Sequence, residues 1–252
     1  VLAANLELEG AIELEADTPL VRGQVRSDFS SRIVGPGNIE FGERDSQGRV
    51  LLNANADLRG DVDVGGTFRV IAGESTLWQP LVRVAPVDIR GTLRLLAASR
   101  LSSVNLNGGI LVLNSDSEIG TLEMGGDLSV AAHTRVTGEA RLRRATFDGS
   151  GVLEFSGLTT VSNGTQAASV SLGALTVRNT GTWLQAAGSS GGSSISRNFA
   201  SGPGVFENLG EFEQTTARPL IVQVPIRNGG RMAFAGTTVT FDGTESLGRF
   251  GK

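Results

Sequence analysis

The residues able to do chemistry in this 252-residue chain are few and thinly combined. There is one histidine, His133, and no cysteine. Disulfides, thiolate metal sites and cysteine nucleophiles are therefore excluded, and neither a His/Cys metal cluster nor a histidine-dependent triad has its parts within the chain. Imidazole is the usual general acid–base. However, Ala131-Ala132-His133-Thr134 offers His133 no neighbouring nucleophile, and the expectation is a polar side chain at a strand end.

Carboxylates offer more. Asp61 and Asp63 fall on one face of a strand, with Asp57 just before them. Glu7, Glu9, Glu13 and Glu15 form a second acidic stripe, and Glu207, Glu211 and Glu213 a third. Such groups chelate Ca²⁺ or act as paired acids in sugar hydrolysis, but alternating strands also display them simply as a solvated face. The Gly-Gly-x-Gly-x-Asp calcium nonapeptide is absent.

Arg141, Arg143 and Arg144 make the densest basic spot. They suit an anionic glycan or carboxylates of neighbouring strands such as Glu118, Glu123 or Glu154. Trp183 sits at an apolar repeat position and is expected in the core. Trp78, before Gln79-Pro80, is open to either burial or stacking on a sugar ring. No catalytic, cofactor-binding or metal-ligating residue is assigned, and no cofactor is expected.

The elements that must position these groups are strands. Apolar residues recur two apart at Leu6/Leu8, Val62/Val64, Phe68/Val70, Leu93/Leu95, Leu122/Met124, Leu128/Val130, Leu153/Phe155 and Val239/Phe241, the mark of one buried and one wet face. No stretch has helical spacing with caps, so an all-β chain is expected. Gly-X-apolar openings recur at Gly66, Gly91, Gly126, Gly151, Gly181, Gly204 and Gly230, at intervals of 25, 35, 25, 30, 23 and 26 residues. An extra opening at Gly109 splits the longest interval into 18 and 17. A loose period of this kind predicts a solenoid with turns of variable length.

A tighter motif, apolar-x-Asn-x-Gly-x-apolar, occurs three times: Val177-Arg178-Asn179-Thr180-Gly181-Thr182-Trp183, Phe206 to Phe212 and Ile226 to Met232. It reads as strand, sharp corner, strand. Asn is suited to left-handed or locally bonded backbone, and Gly to a turn without a Cβ clash.

These three segments, with the Gly-x-apolar strands around them, resemble the Gly/Asn-rich parallel β-helix repeats of large bacterial surface proteins, of the autotransporter-passenger and filamentous-haemagglutinin adhesin-stalk kind. The resemblance covers roughly residues 60–245. It implies a right-handed parallel β-helix, tandem β-sandwich domains being the alternative. On this reading residues 1–252 are a single solenoid fragment of a larger protein, with less regular coils over 1–60, a repeat region over 61–252 and a flexible Gly/Ser-rich loop at 187–203. The narrow interior is expected to favour aliphatic side chains, since only 5% of residues are aromatic.

A net charge of −4 argues against a nucleic-acid surface. No apolar run reaches the roughly 18 residues of a membrane helix, and zero Tyr with two Trp gives no aromatic girdle for a membrane barrel. The function expected is non-enzymatic: a structural or adhesive stalk or binding surface, secreted or at a bacterial cell surface. Its partners would be flanking domains, a surface glycan or protein receptor, or further copies of itself associated end to end or laterally. The runner-up is a carbohydrate-active β-helix enzyme, a polysaccharide lyase or hydrolase using Asp57, Asp61 and Asp63 with a nearby Arg. A glycan-binding module without catalysis is the third reading.

Overall fold

The computed structural model describes residues 2–3, 6–8, 11–13, 20–27, 31–35, 38–47, 49–52, 54–81, 86–164, 166–186, 191–198, 200–202, 204–235, 238–242 and 246–247. Among them there is no helix, and strand follows strand. The pairings among described strands are parallel except one, the hairpin of Glu43–Arg44 with Val50–Leu52. Sandwich domains are built from antiparallel sheets, so this pattern does not fit that alternative. It is compatible with a β-helix. The described strands fall into two compact units, Val1–Gly120 and Thr121–Lys252.

In the first unit the chain visits three parallel ladders in rotation. One runs through Leu2–Ala3, Leu20–Ser27, Ile39–Phe41, Phe68–Val70, Pro86–Ile89 and Arg100–Leu113. A second runs through Leu6–Leu8, the far half of Leu20–Ser27, Ala54–Leu58, Glu74–Leu77, Thr92–Leu95 and the far half of Arg100–Leu113. The third joins Ala11–Glu13, Arg32–Gly35 and Asp61–Val64.

Each strand alternates inward and outward residues, and the register keeps the inward set in columns. Val25, Ala56, Ser75, Leu93 and Leu111 form one column, and Leu58, Leu77, Leu95 and Leu113 another. All of them are buried. A fully buried Leu contributes about 1.5–3 kcal/mol, but only with a rung on each side to cover it.

The second unit repeats the scheme. His133–Val136, Val152–Phe155, Thr176–Asn179, Val205–Asn208, Ile226–Asn228 and Ser246–Leu247 make one ladder. Ala140–Leu142, Leu158–Val161, Thr182–Gln185, Glu211–Gln214 and Arg231–Phe234 make the next. Ala145–Gly149, Ala168–Leu172, Ser193–Arg197, Leu220–Val222 and Val239–Phe241 make the third.

The interior here differs from the aliphatic filling that composition suggested. Phe147, Phe155, Trp183, Phe206, Phe212 and Phe234 follow one another with ring centroids 5.0–6.0 Å apart. The three pairs from Phe155 to Phe212 meet edge to face, the arrangement ring quadrupoles favour. Trp183 is fully buried, as expected, and its indole N–H donates to Gln185 Oε1 at 3.0 Å.

The Asn-x-Gly motif lies at the corner between the first two ladders, but the asparagines act differently from the sequence expectation. Each ends a strand, and among the described non-glycine residues only Arg144 has positive φ. Asn179 and Asn208 are fully buried. Asn179 Nδ2 donates to Asn208 Oδ1 at 2.7 Å, and Asn208 Nδ2 to Asn228 Oδ1 at 2.7 Å. The same amides also donate to the carbonyls of Glu211 and Arg231 across the corner.

Gly181, Gly210 and Gly230 stack beside them. A Cβ on Gly210 would lie 2.1 Å from the Gly181 carbonyl oxygen, and one on Gly230 2.1 Å from that of Gly210. No other residue fits so close an approach.

The interval 187–203 holds more than a loop. Ser193–Arg197 is a strand paired on both sides, with Ser193 and Ile195 buried. Its alternation is carried by Ser and a single Ile, which low complexity concealed. Residues 187–190, 199 and 203 lie outside the described residues.

Candidate functional site

A mixed polar surface covers the outer face of the second ladder in the first unit. Ala54, Ala56 and Leu58 point inward, so Asn55 and Asp57 must point out. The register sets Arg26 and Thr76 on either side of Asp57 and places Arg94 beyond Thr76. Asn55 Oδ1 accepts a bond from the Glu74 amide at 3.1 Å, and Arg94 Nε donates to Glu74 Oε1. Between these side chains is an open groove of about 340 Å³, lined by Arg26, Asn55, Asp57, Glu74 and Thr76 over the backbone of Val25 and Ala56.

Asp57 ties the groove to Trp78. The indole Nε1–H donates to Asp57 Oδ1 at 2.6 Å. Arg59 Nη2 stands 3.3 Å from Asp57 Oδ2, and its guanidinium carbon lies 5.4 Å from the indole centroid. Trp78 is 41% exposed as a residue, and its ring is held by two side chains. The two carboxylates of the groove thus each meet a guanidinium, and Arg26 is an exposed third.

The residues singled out in the sequence are dispersed by this topology. Asp57 belongs to the second ladder while Asp61 and Asp63 belong to the third, so the three do not converge on one face. Asp61 faces Arg32 at 3.9 Å. Among the described residues no group of three or more His, Cys, Asp or Glu is placed to hold a metal ion.

His133 Nε2 lies 3.4 Å from Glu154 Oε2, and Arg135 Nε 3.3 Å from Glu154 Oε1. The nearby Ser156 hydroxyl donates to the Val136 carbonyl and accepts from Arg135. This is an ion-paired surface cluster in which the hydroxyl is directed at backbone rather than at the imidazole.

Arg143 meets Glu123 at 3.2 Å, one of the partners anticipated. Arg141 instead pairs with Glu139 at 2.8 Å, and Arg144 turns away in the left-handed region at φ 52° to reach Gln166. Glu207 pairs with Arg178 at 2.6 Å on the first ladder of its unit, while Glu211, with Arg231 at 3.6 Å, and Glu213 lie on the second. Glu7 and Glu13 belong to described strands, and Glu9 and Glu15 lie outside the described residues.

Sequence reasoning named Asp57 and Trp78 but not Arg26, Asn55, Glu74, Thr76 or Arg94. These residues meet only through the register of four strands. A scan against protein-family models gave no match, and neither a search of curated proteins nor one of solved structures found one.

Proposed function

We propose that each unit is a stretch of right-handed parallel β-helix and that the chain serves as a non-enzymatic stalk or adhesive surface of a bacterial extracellular or cell-surface protein. The observation that carries this reading is the columnar register. Successive turns place like residues on like through Leu77, Leu95 and Leu113 in one unit, and through Asn179, Asn208 and Asn228 in the other. A chain built that way spends its sequence on stacking, and each rung depends on its neighbours. Right-handedness follows from strand twist, which strongly favours that sense for parallel crossovers.

The outward groups are mostly answered by partners one turn away, as in Arg178 with Glu207 and Arg143 with Glu123. That is how a face is kept solvated and straight rather than how an acid–base pair is poised.

The test has two arms. Excision of Val152–Leu175, one whole turn by the register of Val152 with Thr176, is expected to leave a folded, β-rich, cooperatively melting protein; collapse to an unfolded chain would count against the scaffold reading. Incubation of the intact protein with a polysaccharide panel is expected to release no reducing ends or unsaturated products. Turnover abolished by Asp57→Asn or Glu74→Gln would establish an enzyme instead.

A further inference from the structure

We infer that the groove beside Trp78 is a binding site for a neutral oligosaccharide segment. The inference is independent of whether the ladders serve as a stalk, and it asks for binding without cleavage.

Three observations lead there. The first is size and form: an open groove of about 340 Å³ is at the small end of ligand pockets and takes a segment of a longer chain rather than enclosing a whole ligand. The second is the lining. A hydroxyl (Thr76), an amide (Asn55), two carboxylates (Asp57, Glu74) and a guanidinium (Arg26) sit on three adjacent strands. Neighbouring strands are about 4.8 Å apart, so donors and acceptors repeat at a spacing that suits the hydroxyls around a pyranose ring. The third is Trp78, a partly exposed indole beside the groove, tied to the lining residue Asp57 and carrying the Arg59 guanidinium over its ring. An indole held before the ligand arrives saves the ordering cost of binding, and its exposed part meets the apolar C–H face of a sugar at the end of the groove.

Charge selects the ligand class. The lining carries the two carboxylates Asp57 and Glu74 and the Arg26 guanidinium, and each carboxylate is also met from outside the lining, Asp57 by Arg59 and Glu74 by Arg94. A phosphate or uronate would face the two carboxylates, and a metal cation would face the guanidiniums. An uncharged polyol uses both as hydrogen-bond partners without displacing either, and charge-assisted hydrogen bonds are the stronger kind.

The intrinsic fluorescence of the whole protein supplies the readout, because Trp183 is fully buried while Trp78 is exposed. Cellohexaose, xylohexaose, maltohexaose and chitohexaose are titrated separately, with hexagalacturonate as the anionic arm and calcium chloride alone as the cation arm. At least one neutral hexasaccharide is expected to give a saturable change in emission, with calorimetry returning the same Kd. Trp78→Ala is expected to weaken that Kd by about tenfold or more through loss of an aromatic contact, and Asp57→Asn by less, through loss of the charge that strengthens the bond orienting the indole. Thr76→Val alters the lining without touching the indole and is expected to weaken binding too, so it serves if the Trp78 variant does not fold. Arg143→Ala, in the other unit, is expected to bind like the parent. The inference is overturned if no neutral hexasaccharide saturates, if hexagalacturonate or calcium binds in their place, or if Thr76→Val and Asp57→Asn both bind unchanged.

Discussion

In the first unit the inward residue just before the corner between the first two ladders is Phe41, Val70, Ile89 or Leu106, depending on the turn. In the second unit the corresponding place is held by Val136 and Phe155, then by Asn179, Asn208 and Asn228. Glycine follows in both. A Cβ on Gly91 or Gly109 would meet the preceding turn's glycine carbonyl at 2.6 Å, and one on Gly181 or Gly210 would meet it at 2.2 or 2.1 Å. The corner is therefore a backbone device common to both units, and what fills the space inside it is free to vary if it stacks on its own kind.

The filling nevertheless has a consequence. In the first unit this column steps 29 residues from Phe41 to Val70, then 19 to Ile89 and 17 to Leu106. In the second the steps are 29 residues from Asn179 to Asn208 and 20 from Asn208 to Asn228. Where turn length varies, chain spacing does not set register. An apolar column tolerates a slip more readily than an amide, which here needs both the amide one rung away and a carbonyl across the corner. The asparagines fix the register across the unequal turns of the second unit, while the 29-residue turn of the first is spanned by apolar stacking of Phe41 with Val70.

The most damaging way to break the comparison is at the shared corner. Gly210→Ala drives a methyl into a backbone carbonyl and is expected to cost about 3 kcal/mol or more. Gly91→Ala, with its wider 2.6 Å gap, should cost less. Urea midpoints of the two variants decide the order, and equal losses would mean that the corners are not held to different tightness. As a control, Gly125→Ala meets only the Arg143 carbonyl, at 3.3 Å, and should stay within about 1 kcal/mol of the parent.

The next effect separates the fillings themselves. Asn208→Leu deprives the buried Asn179 of its acceptor and the part-buried Asn228 of its donor, an expected loss of about 2–3 kcal/mol. Replacing Asn179, Asn208 and Asn228 together with Leu recreates the column of the first unit and is expected to be less destabilising than the single change, a coupling of opposite sign to simple addition. What the triple variant should lose is uniqueness, seen as broadened amide resonances around the 29-residue turn. A triple variant about three times as destabilised as the single one would show that the amides contribute separately, not as a ladder.

Much of this was readable in advance, and the misreadings have physical causes. Strict alternation at Leu93/Leu95 or Leu153/Phe155 reveals strands because one face must be greasy. The glycine openings were visible, but Gly151 and Gly204 precede strands of one ladder while Gly181 and Gly230 precede strands of another, so their intervals mixed two phases of the same turn. Asn179 looked like a turn residue because its chemistry suits turns equally well; only the register of Asn179 with Asn208 gives it an inward role. The groove was the least legible. Asp57 and Asp61 are close in sequence yet separated by a corner, whereas Arg26, Asp57 and Thr76 are far apart in sequence and adjacent in space. Turns of unequal length hide that kind of proximity.

A smaller effect tests the outer faces. Arg178 and Glu207 form a close, half-buried pair at 2.6 Å, with side chains 34% and 19% exposed, while Arg32 and Asp61 in the other unit stand 3.9 Å apart at 59% and 53%. Glu207→Gln is expected to cost about 1 kcal/mol at low salt and Asp61→Asn close to nothing, since exposed pairs are screened and entropically costly. Raising salt should narrow the gap, and a salt-independent difference would assign it to packing of the Arg178 stem.

The smallest effect concerns the tip of the hairpin Glu43–Leu52, which is closed locally, while Arg44 at its base donates to the Ile71 and Arg90 carbonyls of later turns. The Arg49 guanidinium at 2.6 Å, then the Arg49 amide, hold the Asp45 carboxyl below the ordinary carboxylate range. A carboxyl whose folded value is depressed contributes fully above its unfolded value, and that contribution fades as pH falls through the folded one. Protection of the Arg49 amide should accordingly be complete at neutral pH and be lost only under acid conditions more extreme than those that titrate a free aspartate. In Arg49→Ala the Asp45 titration should move back up toward that ordinary range, with the melting temperature of the molecule unmoved, because the bond spans four residues and touches neither column. If global unfolding followed the Asp45 titration, the hairpin tip would have to be coupled to the ladders through its base at Arg44, and the distinction between local closure and closure by register would fall with it.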